Sequence, residues 1–338
     1  MIMKKEYYFS KLNNQEQQYY TKLLQAIKCG EYTVKAPLFL DTESLTNVAM
    51  AVDFDHPELF YVDFRHLNFS SSHKGTLFQI NYTINKAMRS SVVAEVERHI
   101  VAILDESKKH NLKSNYEKCR WIHNYLVRNT TYNYDALTQP DCHSNAFSII
   151  GVLLDKNAVC EGISKVFKLL SNRLGIESII AYGTSSFEGV GSDVAHSWNI
   201  VSIDGEFTHI DITWDIGVSA PCKHTRYDYF CLSDKQLKKD HIYKEYPMCS
   251  SEELSYFRKR NRVFSSKRQL QEYIEAELLR GSKILYFKIE APNYPPDLLT
   301  EKIHSIVSQT ICTFRNGAFC YETVPNNRQQ CFFIRVKD

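Results

Sequence analysis

The sequence has few of the features that mark membrane-spanning, secreted or low-complexity proteins. No apolar run approaches the roughly 18 residues that a membrane span needs. The N-terminal lysines are not followed by the apolar segment of a secretory signal peptide. Glycine (12) and proline (9) are scarce among the 338 residues, which excludes collagen-like and linker-dominated chains. We therefore expect a folded cytoplasmic protein with no membrane span.

An excess of charge is also missing. The chain has 41 Lys and Arg against 39 Asp and Glu, a net charge of +2, which argues against nucleic acid as a partner. The Gly-containing segment at 189–193 lacks the lysine of a phosphate-binding loop. The ten cysteines form no CxxC pair, so we expect reduced thiols rather than a disulfide framework. No paired zinc motif or DxDxDG calcium loop is found, and no metal or other cofactor is expected.

The pattern of apolar and polar residues divides the chain into three regions. We predict an N-terminal α+β module at 1–90, a core at 91–247 and a C-terminal α+β domain at 250–338. The spacing of apolar residues predicts these elements in the two flanking regions: a helix at 14–28 and strands at 58–69 and 75–86 in the first, and helices at 267–281 and 297–309 with strands at 283–290, 311–323 and 330–336 in the last.

The core combines helices with an antiparallel meander. The predicted elements are helices at 90–109, 115–129 and 159–174, then strands at 176–182, 195–203 and 206–212. Gly175 suits the residue after a helix end, and the Asp204-Gly205 pair is typical of a two-residue hairpin turn. Helices followed by such a meander indicate an α+β fold, not a doubly wound sheet.

Cys160 differs from the other nine cysteines because it opens the predicted helix at 159–174. The unpaired N–H groups and the dipole at a helix N-terminus stabilise a thiolate, which is the form that attacks carbon. A buried, inert helical cysteine is the alternative interpretation.

Two later residues favour the reactive interpretation. His196 lies near the start of one strand, and Asp211 lies near the end of the next. Pairing around the Asp204-Gly205 turn sets Asp211 opposite Trp198, on the face that also carries His196. A carboxylate in hydrogen-bond reach of the imidazole would fix its tautomer. Cys160, His196 and Asp211 would then form a nucleophilic triad.

The stretches AVCEGISKVFKLLSNRLGIESIIAYG and AHSWNIVSIDGEFTHIDITWD resemble the core of the transglutaminase-like superfamily, of bacterial type, over about residues 115–217. That family has a Cys opening a helix, a His in an HxW context and an Asp in a DxTWD context, in this order. The resemblance implies a papain-like fold, with the helix that carries Cys160 packed on an antiparallel sheet. It also implies that Cys160 is the nucleophile, His196 the base and acid, and Asp211 the orienting carboxylate. Ile212 departs from the pattern, where Pro is common.

Other residues near these motifs are expected to have supporting roles. The backbone N–H of Cys160 is expected to be one oxyanion donor, and Tyr134 or Asn145 the second. Trp198 is expected to shield the His-Asp pair from water and shape the cleft. For Asp215 we expect a capping or turn role at the strand end, and for His209 a partly exposed packing role.

The predicted function is that of a thiol acyl-transfer enzyme acting on an amide or peptide carbonyl. Hydrolysis, as in a cysteine protease or amidase, is favoured over cross-linking because no dry amine site is evident. The alternative is a non-catalytic protein-binding scaffold that retains the fold. The expected partner is a protein or peptide substrate, and its identity and the oligomeric state stay open.

Overall fold

The computed structural model describes residues 6–36, 40–72, 74–187, 191–244, 246–291, 295–314 and 319–337. The fold is α+β, with 49% helix, 23% strand and mainly antiparallel sheets. By its internal contacts the chain divides into two compact units, one of Met1–Tyr182 with His196–Glu206 and one of Gly183–Ala195 with Phe207–Asp338. Within the described ranges, no helix combines the length and the apolar character that crossing a membrane requires.

The first unit begins with two helices and a small sheet: α1 (Asn14–Cys29), β1 (Thr33–Ala36), α2 (Thr42–Asp55), β2 (Asn68–Ser72) and β3 (Gly75–Gln79), with strand order β1-β3-β2. The predicted helix at 14–28 is confirmed, and Asn13 and Glu16 form a capping box at its start.

The strand predicted at 58–69 is wrong over most of its length. Pro57–Leu59 and Phe64–His66 are short 3-10 helices, and the strand starts at Asn68. Pro57 sits at the first helical position, where its missing N–H is not needed. The strand predicted at 75–86 is also too long, since it ends at Gln79 and Asn85 caps the next helix.

The next elements of the first unit include the helix that carries Cys160. They are α3 (Lys86–Lys108), α4 (Asn115–Asn129), β4 (Thr131–Tyr132), α5 (Asp135–Thr138), α6 (Ile149–Leu153), β5 (Asn157–Ala158) and α7 (Cys160–Arg173). Of these, α4 and α6 pack against α7. Ile163, Val166 and Phe167 of α7 are buried, so the helix belongs to the core. The helices predicted at 90–109, 115–129 and 159–174 are confirmed, and α3 begins four residues earlier than predicted.

The predicted three-stranded meander is confirmed, although its first strand runs on to Phe187 and its second begins at Gly191. The strands of its sheet are β6 (Ser178–Phe187), β7 (Gly191–Ile203), β8 (Glu206–Ile210), β9 (Phe230–Leu232) and β10 (His241–Ile242), in the sheet order β10-β6-β7-β8-β9. Asp204 and Gly205 both have positive φ, 53° and 88°, which is the conformation of a two-residue hairpin turn. The last predicted strand is two residues too long, because β8 ends at Ile210.

The second unit ends in a helix-covered sheet. Its further elements are α8 (Ile212–Cys222), α9 (Asp234–Leu237), α10 (Tyr256–Lys259), β11 (Val263–Phe264), α11 (Lys267–Leu279), β12 (Ile284–Ile289), α12 (Pro296–Phe314), β13 (Cys320–Asn326) and β14 (Cys331–Lys337), with sheet order β11-β12-β14-β13. The strand predicted at 311–323 is wrong at its start. Ile311 continues the buried helical stripe of Ile303 and Val307, so α12 runs on to Phe314.

Candidate active site

Cys160 is the first residue of α7, and the preceding N-cap position is Val159. The valine side chain cannot accept a hydrogen bond from the N–H groups of the first turn. The positive end of the helix dipole is therefore not screened by a capping side chain at the residue that carries the thiol. Cys160 is only 9% exposed, so its surroundings are largely free of water.

The imidazole of His196, on β7, forms a hydrogen bond with the Cys160 thiol. Burial by itself raises the pKa of that thiol. The hydrogen bond and the charge of His196, together with a backbone hydrogen bond from Ser197, act against burial, and the pKa of Cys160 is lowered. Both residues belong to the first unit. The structure thus brings together two of the predicted site residues, Cys160 and His196.

Trp198 lies against His196. The two rings stack with centroids 5.9 Å apart and planes 19° apart, and Trp198 is 1% exposed. Strand alternation predicts this shared face. The indole covers one face of the imidazole and so limits the rotation of the ring.

Asp211 belongs to the second unit and is fully buried. It is the N-cap of α8 rather than the strand residue predicted, and its Oδ1 accepts the backbone N–H of Trp214 at 3.1 Å. Its Oδ2 lies 3.0 Å from Nε2 of His241, whose Nδ1 lies 2.7 Å from Oδ1 of Asp240. A capping bond and an imidazole therefore fix both carboxylate oxygens.

His241 is a residue that the sequence analysis missed. It is 1% exposed and forms part of β10. No periodicity or spacing in the sequence singles out this histidine. Its partner Asp211 lies 30 positions earlier in the chain.

Two lesser predictions need correction. Asp215 is not at a strand end but inside α8, where it is fully buried and accepts the backbone N–H of Tyr229 at 3.1 Å. Burial and the nearby Asp228 carboxylate raise its pKa well above the ordinary range. His209 is not partly exposed. Its side chain is completely buried and lies 3.0 Å from Asp234.

Both proposed second oxyanion donors are exposed. Tyr134 is 62% exposed, with its ring edge-on to Tyr132 at 4.9 Å. Asn145 donates its side-chain amide to Asp155 at 3.1 Å. Asn145 also lines a narrow cleft whose wall includes Glu161, the residue after Cys160.

The cleft contains a buried ion cluster. Nζ of Lys165 lies 2.8 Å from Asp53 and 2.7 Å from Glu161, and it donates to the carbonyl oxygen of Phe147 at 3.3 Å. Burial raises the pKa of Asp53 to about 6, against the opposing effect of the Lys165 charge. The cluster ties the first turn of α7 to helix α2 and to the 144–148 segment.

Residues 104–212 match the family model of the transglutaminase-like superfamily. This chain carries a transglutaminase-like domain. Cys160, His196 and Asp211 all lie within the matched residues, as do Tyr134, Asn145 and Trp198. The family resemblance stated from the sequence is thereby confirmed.

Among solved structures, one described as the crystal structure of a TGase is similar to this chain. The two are 17% identical with a TM-score of 0.32, over 54% of this chain and 50% of that one. The chain thus matches half the length of that TGase. No curated protein sequence matches the chain.

Proposed function

We propose that the transglutaminase-like domain is a thiol acyl-transfer enzyme that acts on an amide or peptide carbonyl. The observation that carries this proposal is the hydrogen bond between Cys160 and His196, at a helix N-terminus, with the thiol pKa lowered despite burial. A merely structural buried thiol has the opposite shift, as Cys119 does, since burial raises its pKa to about 12.

The proposed reaction begins with transfer of the Cys160 proton to His196. The thiolate attacks the carbonyl carbon, and the backbone N–H of Cys160 donates to the oxyanion that forms. His196 then returns the proton to the leaving amine, the C–N bond breaks, and a thioester remains. Water, deprotonated by His196, attacks the thioester and releases the acid and the Cys160 thiol.

For Asp211 we propose the role of orienting carboxylate for His196. Its support is its position in the family motif, its complete burial and the fixing of its oxygens by Trp214 and His241. A carboxylate in this role stabilises the imidazolium and holds the reactive tautomer, and it does not itself accept the proton. In this account His241 is a positioning residue, since it acts through Asp211.

The acyl group is proposed to come from a protein or peptide, and the cleft lined by Asn145, Phe147 and Glu161 is its candidate binding site. In this cleft the carboxylates of Glu161 and Asp53 share the single ammonium of Lys165. Hydrolysis of the thioester is favoured over attack by a lysine amine.

The test is a turnover assay with peptides that contain glutamine and C-terminal amides, following ammonia release with and without an added primary amine. We expect activity in the wild type and none in Cys160→Ala. The matched control is Cys119→Ala, which removes another buried thiol and should leave turnover intact. Turnover that persists in a folded Cys160→Ala protein would contradict the proposal, whereas a folded wild type without turnover would favour the non-catalytic scaffold.

A further inference from the structure

A cluster of side chains of the types that bind metals lies within the second unit. It is formed by His209, Asp234 and Cys249. One ligand atom from each, the imidazole nitrogen, a carboxylate oxygen and the thiol sulfur, lies within 4.8 Å of the other two. His209 is on β8, Asp234 opens α9, and Cys249 follows β10. None of the three has a role in the proposed acyl transfer.

The contacts within the cluster converge on one oxygen. Nε2 of His209 lies 3.0 Å from Oδ1 of Asp234, and the Tyr243 hydroxyl donates to the same oxygen at 2.7 Å. That hydroxyl is also 3.2 Å from His209 Nε2. The Tyr243 hydroxyl is therefore placed to act as a fourth ligand atom beside those of His209, Asp234 and Cys249.

The backbone already holds two of the three donors together. The N–H of Asp234 donates to the carbonyl oxygen of Cys249 at 2.7 Å, and the N–H of Cys249 donates to Oδ2 of Asp234 at 2.8 Å. The second bond leaves Oδ1 as the oxygen that faces His209. Such outer hydrogen bonds are what orient ligands at metal sites.

The burial of these three side chains is that of an enclosed site with one opening to solvent. The side chain of His209 is completely buried, and Cys249 is 0% exposed. The Asp234 side chain is 25% exposed, which leaves a route for an ion from solvent.

We propose that His209, Asp234 and Cys249 bind a divalent metal ion, zinc by the chemistry of the donors, with Tyr243 or water as the fourth ligand. Imidazole, thiolate and carboxylate are the ligands that zinc takes in proteins. A thiolate and a carboxylate together neutralise the two charges of the ion, which suits a buried site. Tetrahedral zinc, with bonds of about 2.0–2.3 Å, sets its ligand atoms roughly 3.3–3.8 Å apart, so only small shifts of these side chains are needed.

Binding would break the S–H bond of Cys249, whose proton leaves to solvent, and form the Sγ–metal bond. The hydrogen bond that the Cys249 thiol gives to the carbonyl oxygen of Pro247, at 3.4 Å, would be lost. The ion would fasten β8, the start of α9 and the segment after β10 to one another. With Tyr243 as the fourth ligand the site is closed, and its predicted role is then structural.

The test uses the full chain, stripped with a chelator and then titrated with Co²⁺, which reports tetrahedral thiolate ligation by its visible and near-ultraviolet absorption. We expect one equivalent bound, displacement by Zn²⁺, and a higher Tm with Zn²⁺ present. Cys249→Ser and Asp234→Asn should weaken binding by about tenfold or more. Cys119→Ser, which removes a buried thiol of the first unit, is the matched control and should bind as the wild type does.

A measurement on the wild type covers the case in which a variant does not fold. Zn²⁺ should slow alkylation of Cys249 in mild denaturant, mapped by mass spectrometry, while Cys119 is labelled at an unchanged rate. Absorption that is identical in folded Cys249→Ser would show that the exposed cysteines at 29, 142, 312 and 320 bind the ion instead. That result, no bound metal, or Cys249 labelling that Zn²⁺ does not slow would overturn the proposal.

Discussion

The side-chain amide of Asn199 donates to the carbonyl oxygen of Ser164 at 3.1 Å. Ser164 lies one helical turn after Cys160, and Asn199 lies three residues after His196. The same amide also approaches the Ser178 hydroxyl and the Ile179 carbonyl oxygen, each at 3.4 Å, and Asn199 is 2% exposed. One buried side chain thus sets the spacing between the helix of the thiol and the strand of the imidazole.

Replacing this amide should loosen that spacing. We expect Asn199→Ala to lower the free energy of unfolding by about 1–3 kcal/mol, because buried carbonyl groups lose their donor. Alkylation of Cys160 near neutral pH should also become slower. The control is Asn129→Ala, whose exposed amide donates only within α4 and whose loss should change both quantities little. Denaturant titration and labelling rates measure the two effects, and equal results for the two variants would contradict this role.

Gly162 in α7 is a helical glycine whose replacement by alanine should lower the stability of the protein. A Cβ on Gly162 would lie 2.5 Å from the carbonyl oxygen of Ala146 and 2.8 Å from that of Ser148, both backbone atoms that cannot easily move. We expect Gly162→Ala to destabilise the protein, although alanine favours a helix by about 0.5–1 kcal/mol. Gly217 of α8 has open space around it, so Gly217→Ala should stabilise. Chemical denaturation of both variants tests this, and a stabilised Gly162→Ala protein would show that the helix does not pack so closely.

Acid should destabilise the first unit through His123. This side chain is fully buried in α4, and burial lowers its pKa to about 3. The unfolded imidazole takes up a proton below about pH 6.5, whereas the folded one does not, so stability falls as the pH drops through that range. Between pH 7.5 and 5.5 the loss from this one group is about 1.4 kcal/mol.

His123→Gln should remove that part of the pH dependence. The quantity to compare is the difference between unfolding free energies at the two pH values, because the cost of repacking then cancels. The control is His110→Gln, at a half-exposed side chain 3.8 Å from Glu106, which should change that difference less than His123→Gln does. A His123→Gln protein with the pH dependence of the wild type would contradict the account.

The contact between His241 and Asp211 should contribute strongly to stability. Both side chains are completely buried, and removing one partner of such a pair costs about 3–5 kcal/mol. His241→Leu should therefore destabilise severely, and His241→Gln less, since its amide can still donate to the carboxylate. The exposed pair of His66 and Asp63 offers the control, because its His66→Gln variant should lose less than about 1 kcal/mol. Similar losses in His241→Leu and His66→Gln would contradict this ranking.

Where sequence prediction succeeded, the signal was local. The helix that Cys160 opens and the hairpin at Asp204-Gly205 follow from periodicity and turn chemistry within short windows. The strand prediction at 58–69 was wrong because the aromatic and β-branched residues there belong to a segment with two 3-10 helices, the first of which starts at Pro57. Ile311 was assigned to a strand because nothing local shows where α12 ends.

Part of the candidate active site was also predictable from local sequence signals. Cys160 and His196 were identified by motifs, and the structure brings them together. The contact of His241 with Asp211, and that of Cys249 with Asp234, join residues 30 and 15 positions apart through the fold. The spacing of residues along the sequence does not predict which distant residues meet in the fold. The catalytic roles of Cys160, His196 and Asp211, the roles of Tyr134, Asn145 and Trp198, and the three-region division stay predictions.

The central claim is that His196 activates the Cys160 thiol, and alkylation by iodoacetamide across pH values from about 4 to 9 tests it most directly. We expect Cys160 to react with an apparent pKa below the ~8.5 of a free thiol in the wild type. In His196→Gln, where burial remains but the imidazole is gone, that pKa should rise above it. The same pKa in both proteins, or slower labelling of Cys160 than of the exposed Cys29 at every pH, would contradict the account.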